Sequence, residues 1–301
     1  MGLIKTKNSE NKQMKAKKSK KEEKVLEPQY YLSPTQIPTL NYKVYYMSAV
    51  EKAVYFALAF LVGYVVGYLF YGGIGIDEYG NPTIVTRVLD ILIPTVVGIL
   101  AGKIFLPMRT EQILNRRRRD LGRQFRDFLD GITTSIGAGN NVVMAMTLVY
   151  KDLKVQYPED AYIIKEIEVL LSGMHSNFDI EDMLDDLGRR SGNTDIISFA
   201  NVFRICYRKG GNIQQVLRNT HEIMSQKMEI SEDIETIVSG SKLDQMVLLI
   251  MPVALIGIIK MMSPEFAANF VTGTGLISTT IAIGLFVASY FIGKALMDIK
   301  V

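Results

Sequence analysis

The sequence predicts an all-α polytopic membrane protein, with four transmembrane helices in two hairpins flanking one cytosolic helical-bundle domain. The first observation behind that expectation is where the charges lie. Across 301 residues the composition, 48% hydrophobic and 22% charged with a net charge of +3, matches an ordinary soluble protein. Yet Asp, Glu, Lys and Arg are absent from four windows, 53–76, 91–102, 245–259 and 266–293. A bilayer core of about 30 Å takes about 20 apolar residues in a helix, and two of the windows reach that length unaided. The second observation is that the stretch 110–242 repeats apolar residues at helical spacing and lacks the alternating β-branched runs that signal strands. A single cysteine, Cys206, excludes an intrachain disulfide framework and with it the small secreted scaffolds.

Residues 1–52 hold 11 Lys against 5 Glu, few bulky apolar residues before Val25, and then Pro28, Pro34 and Pro38. This composition predicts a disordered, Lys-rich cytosolic tail, which solubilises and orients the chain or is drawn to anionic headgroups or an acidic partner. A signal peptide is not expected, because the first apolar segment begins about fifty residues in and is too long for a signal core.

The first hairpin spans 53–106, with helices at about 53–71 and 84–106. Asp90 and Lys103 lie near enough to the ends of the second helix to reach the headgroups. Gly72, Gly73, Gly75 and the Gly80-Asn81-Pro82 turn separate the two helices. The second hairpin spans 243–293, with helices at about 243–259 and 276–293 divided at Ser263-Pro264, and a cytosolic C-terminus covers 294–301. Positive charge beside the spans sets the orientation. The tail to Lys52 is +6, 77–90 is −2 and 103–126 is +6. Those signs predict a multi-pass membrane protein with both termini, and the segment between the hairpins, in the cytoplasm.

That segment, 107–242, is long enough for one domain with its own core. Helices are expected at about 111–137, 142–154, 159–172, 180–191, 195–209 and 213–239, punctuated by Gly137 and Gly139, Pro158, Gly173, Gly192, and Gly210 with Gly211. Asp179 is placed as an N-cap with Asp182 three residues on, and Phe178 with Met183 as a hydrophobic staple. Ile180, Met183, Leu184 and Leu187 then share one apolar face. Between Asp127 and Asp244, 11 basic residues face 19 acidic ones, a net −8. That sign disfavours nucleic acid and suits a protein partner with a basic surface.

Little in the chain points to catalysis. Asp179, Glu181, Asp182, Asp185 and Asp186 cluster, but an EF-hand needs an oxygen ligand at position 5 and Gly at position 6, where Met183 and Leu184 stand. Acidity at a helix start complements the helix dipole instead. His175 and His221 lack a second ligand at zinc-face spacing apart from the His175–Asp179 pair, so no metal site is assigned. Cys206 lies between Arg204 and Arg208, yet its i+3 spacing from Phe203 reads as a buried structural thiol. Neither Gly210-Gly211 nor Gly72-Gly73 is followed by the Gly-Lys-Ser/Thr ending of a phosphate loop. The chain is therefore expected to be no enzyme and to carry no cofactor. Within the spans, Gly63 and Gly67, Gly98 and Gly102, and Gly284 with Ala288 are spaced for close helix packing, inside a hairpin or between subunits. Pro252 is expected to kink the third span. The run Arg116, Arg117, Arg118, Arg119 is juxtamembrane, placed to hold the inner leaflet or to dock an acidic partner.

The order of parts resembles a known family. A basic stalk, then FRDFLDGITTSIGAGNNVVMAM over 125–146, a break at Gly173, RKGGNIQQVL over 208–217, a long helix into a span holding Pro252, and Pro264 in the outer turn are similar to the type II secretion system F (GspF/PilC-like) family. The resemblance covers about 105–301 and is strongest to the single-lobed TadB and TadC type of tight-adherence (Tad/Flp) pilus systems. It implies a platform protein that couples a cytosolic secretion ATPase to extraction of pilin subunits and filament assembly, beside a second family member or another copy of itself. In that reading Ala138, Gly139, Gly173, Gly210, Gly211 and Asn212 are structural turns or docking points. Metal ligands of some relatives find no residue-by-residue match in this chain. A subunit of an oligomeric transporter or channel is the alternative, and it needs a polar path through the spans.

Overall fold

A computed structural model describes residues 27–75 and 81–297. Two strands, β1 (Tyr30–Leu32) and β2 (Pro38–Leu40), precede nine helices among the described residues: α1 (Ala49–Tyr71), α2 (Ile84–Gly137), α3 (Val142–Gln156), α4 (Tyr162–His175), α5 (Ile180–Ser191), α6 (Thr194–Lys209), α7 (Ile213–Met262), α8 (Pro264–Phe270) and α9 (Gly273–Met297). Four of them, α1, α2, α7 and α9, are long and apolar enough to cross a membrane. The chain is an all-α polytopic membrane protein.

The first hairpin is built by glycine. A Cβ on Gly63 would meet Ala101 Cβ at 2.7 Å and Gly98 Cα at 3.0 Å, and one on Gly67 would meet Pro94 Cα at 3.0 Å. Opposite them, Phe56 packs on Gly102 and Phe60 on Gly98. Small residues thus let the two backbones approach while the rings fill the space beside them. Ser48 caps α1 and Thr83 caps α2, each in a reciprocal capping box. At the far turn Asp90 accepts a hydrogen bond from the Gly73 N–H at 2.7 Å.

Two expected breaks do not occur. The second span and the first lobe helix are one 54-residue helix, α2, which runs through Pro94 and Pro107. The last lobe helix and the third span are likewise one 50-residue helix, α7, with Pro252 inside it. The boundaries at 107 and 242 therefore fall within helices. The step in composition near Leu106 is a change of solvent and not of backbone: Glu111, Gln112, Leu114 and the arginines that follow are good helix formers. A proline removes one hydrogen bond and bends a helix without having to end it.

The lobe packs α2 to α7 around Leu121, Phe125, Phe128 and Leu129 of α2, all at most 2% exposed. Ile180, Met183, Leu184 and Leu187 of α5 are buried together, as their spacing predicts. Helix α4 begins and ends three residues later than expected, because Pro158 opens a turn that Ala161 N–H closes onto its carbonyl. Gly173 does not break α4. It is buried inside the helix, where a Cβ would overlap Met183 Sδ. Asp179 stands at the N-cap of α5 without a side-chain cap bond, Phe178 is 42% exposed and Met183 packs on Gly173.

The tail expectation changes most. Residues 1–26 lie outside the described residues, but the stretch from Leu40 to Lys43 is fastened to the lobe. Tyr30 pairs with Leu40, Tyr31 with Thr39 and Leu32 with Pro38 in an antiparallel hairpin. Tyr42, only 1% exposed, is part of the lobe core.

The second hairpin is held more loosely. Beyond the short α8, which Ser263 caps where a simple break is expected, its contacts with the first hairpin are few. Lys260 Nζ donates to Leu69 O at 2.7 Å, and Tyr71 Oη lies 3.0 Å from Thr280 Oγ1.

Candidate functional site

The described residues contain no group of three or more His, Cys, Asp or Glu able to hold a metal ion. Two features of the lobe stand out: how it is tied to the spans, and what its free pole presents.

Helices α2 and α7 lie antiparallel along the lobe, and their cross-contacts keep one register. Arg119 pairs with Glu235 at 3.5 Å and Arg123 with Glu232 at 3.1 Å. His221 Nε2 lies 3.7 Å from Asp130 Oδ1. Farther on, a Cβ at Gly137 would meet Gln214 Nε2 at 3.2 Å. A cleft of about 180 Å³ beside these pairs is lined by Arg119, Arg123 and Lys227 against Asp195, Glu232 and Glu235. Its charges match in number and are bonded pairwise, Lys227 to Asp195 included, so it closes on itself.

A buried network fastens the segment before α1 to the same lobe. Tyr42 Oη donates to Glu166 Oε1 at 2.9 Å, and Arg190 grips both oxygens of Glu166 at 3.0 and 2.9 Å. Arg190 also bonds Asp186 Oδ2 at 2.6 Å and Leu40 O at 3.0 Å. Arg118 completes the strap by donating to Tyr42 O and Lys43 O. The side chains of Arg190 and Glu166 are each 4% exposed. Burial works against the Arg190 charge, but the hydrogen bonds and charge of Glu166, with Asp186, hold its pKa above the usual arginine value. Burial and the neighbouring Glu166 carboxylate raise the Tyr42 phenol well above the usual value.

Sequence reasoning missed this network. The available signal is Glu166 itself, set among Ile163, Ile167 and Leu170 on the core-facing side of α4, where a carboxylate needs a cation. Each arginine of the run also meets a group of the chain itself. Arg116 reaches toward Asp120, Arg117 stacks 4.2 Å over Tyr45, Arg118 holds the strap and Arg119 meets Glu235.

The acidic residues of α5 are largely answered by arginines. Asp185 meets Arg189 and Arg204, and Arg208 reaches Glu181 Oε1 at 3.1 Å and Asp182 at 3.4 Å. Cys206 is half-buried, and a Cβ on Gly211 would meet it at 3.1 Å. His175 bonds the Leu171 carbonyl at 2.6 Å.

The turn residues collect at the pole of the lobe where α2 ends and α7 begins. Gly139 (φ +92°) and Gly210 (φ +71°) adopt left-handed backbone conformations, with nothing within 4 Å of an added Cβ, so their requirement is conformational. Ala138 terminates α2, and Asn212 caps α7 by accepting from Gln215 N–H at 3.0 Å. From Leu106 to Gly137 α2 rises about 46 Å, which makes this pole membrane-distal. It carries an open pocket of about 270 Å³ between the starts of α3 and α5 and the ends of α4 and α6. Val143, Phe178 and Tyr207 stand exposed around it.

In the spans, the structure places Gly63, Gly67, Gly98 and Gly102 in the contact within the first hairpin. Gly284 has nothing within 4 Å of an added Cβ, and Ala288 is exposed. The chain matches no family model, no curated protein and no solved structure.

Proposed function

We propose that the chain is a plasma-membrane platform protein of a type II secretion or tight-adherence pilus machine, coupling a cytosolic secretion ATPase to pilin extraction and filament assembly. The observation that carries the proposal is the uninterrupted passage of α2 and α7 from span to lobe. A push or twist at the distal pole acts on two helices paired over about 27 Å. It reaches the second and third spans without crossing a loop. The strap of 27–48 links the first span to the same rigid body, because its bonds to Glu166, Arg190 and Arg118 precede α1 directly.

The basic flanks at 1–52 and 103–126 set the termini and the lobe in the cytoplasm, within reach of a motor. The loosely held second hairpin, with Leu285 at 67% and Ile281 at 59% exposed, offers apolar faces to lipid, to pilin, or to a second platform subunit. The test is recovery of the tagged full-length protein from crosslinked membranes. Co-recovery of a secretion ATPase and of pilin supports the reading, and crosslinked material without an ATPase overturns it.

A further inference from the structure

The membrane-distal pocket has a chemistry that its own chain leaves incomplete. Glu181 lines it and is 5% exposed. Its Oε1 takes Arg208 Nε, but Oε2 is buried and accepts no hydrogen bond. A buried carboxylate oxygen without a donor is unfavourable, and a cationic donor supplied from outside relieves it once the Arg208 side chain swings aside to expose the carboxylate. The balance of charge agrees: Asp179, Glu181 and Asp182 stand against Arg208, whose side chain is 55% exposed and so yields readily. Val143, Phe178 and the ring of Tyr207 form an open apolar part of its wall. Long basic side chains pack such walls with their methylenes while the head seeks an anion.

We propose that this pocket binds a Lys or Arg side chain, next to an aromatic or aliphatic residue, presented by a protein that meets the lobe at its distal pole. The inference rests on the platform reading for who that protein is, but the pocket's chemistry stands on the residues named. An anionic lipid surface has the wrong sign for the site. The competing occupant is this chain's own segment 1–26, which holds nine lysines and, at about 85 Å extended, spans the lobe. It joins the lobe at the opposite end, where Leu40 and Tyr42 bond Arg190 at the C-terminus of α5.

The experiment uses the full-length protein in lipid nanodiscs, with fluorotyrosine at Tyr207 alone as a 19F reporter. The probes are acetyl-Phe-Arg-amide and its uncharged twin acetyl-Phe-citrulline-amide. A saturable shift is expected with the arginine peptide, about tenfold weaker with citrulline and about tenfold weaker in Glu181→Gln, as loss of one charge-assisted bond implies. Phe178→Ser, at an exposed position outside the core, weakens the same peptide while the lobe keeps its melting temperature. Equal binding of the two peptides, or no shift with either, overturns the proposal. So does an affinity that rises about tenfold on deletion of 1–26, which would identify the tail as occupant through its high local concentration. An ATPase recovered from membranes alongside equal peptide binding sinks the pocket alone; selective peptide binding without an ATPase sinks the platform reading alone.

Discussion

Arg190 and Glu166 show how one buried pair fixes where a whole segment goes. Each is 4% exposed, so neither is solvated when its partner is removed. Glu166→Gln is expected to destabilise the lobe by about 3–5 kcal/mol, whereas the apolar double replacement Glu166→Leu with Arg190→Met costs much less. The measurement is thermal melting in detergent, together with trypsin cleavage at the exposed Lys43, whose backbone the single variant loosens and the double variant partly keeps in place. Equal losses in both variants would show that packing, not charge, sets the strap. A second consequence concerns pH. Burial and the bond to Asp127 push the Tyr157 phenol from 10.0 up to about 12. The folded lobe therefore keeps a proton that the unfolded chain releases. The stabilisation is complete below pH 10 and is lost as the pH rises toward about 12. Tyr157→Phe should flatten the melting temperature across that window, and an unchanged slope refutes the assignment. These residues also mark the limit of what was legible. The face of α5 and the turns at Gly139 and Gly210 follow from local spacing. Tyr42 lies in a Pro-studded, Lys-rich stretch whose two strands have three residues each, too short for alternation to register. Its partners are 124 and 148 positions away, and only the folded chain brings them together.

The long helices carry the same lesson at the scale of elements. Helical periodicity is readable on both sides of Leu106, and the abrupt onset of charge there invites a boundary that the backbone does not make. Span, stalk and lobe share one helix because bilayer and water both permit it when the sequence supplies good helix formers in each. The proposed coupling depends on this continuity. Glu111 and Gln112 are exposed and sit between span and lobe on α2. Replacing both with Gly lowers local helix stability by about 2 kcal/mol, and replacing both with Ala does not. The Gly-Gly variant should insert in the membrane and melt like the wild type, yet lose filament assembly, while Ala-Ala assembles normally. Assembly at wild-type levels with Gly-Gly would show that motion does not travel along α2.

At the scale of the molecule, the net charge of +3 conceals opposed terms: +6 before Lys52, +6 over 103–126 and −8 from Asp127 to Asp244. The proposed orientation rests on the first two, which flank the hairpin, and the third gives the lobe a net negative charge. Orientation is testable because Cys206 is the only cysteine. In a Cys206→Ser background, a membrane-impermeant maleimide applied to intact cells should label Met262→Cys, 79% exposed at the turn after the third span. Asn201→Cys, exposed on α6 of the lobe, should react only after permeabilisation. Labelling of Asn201→Cys on intact cells would invert the protein. The lobe would then face away from any nucleotide-driven motor, and the platform reading would fall with its topology, whereas the buried strap and the continuous helices would be unaffected.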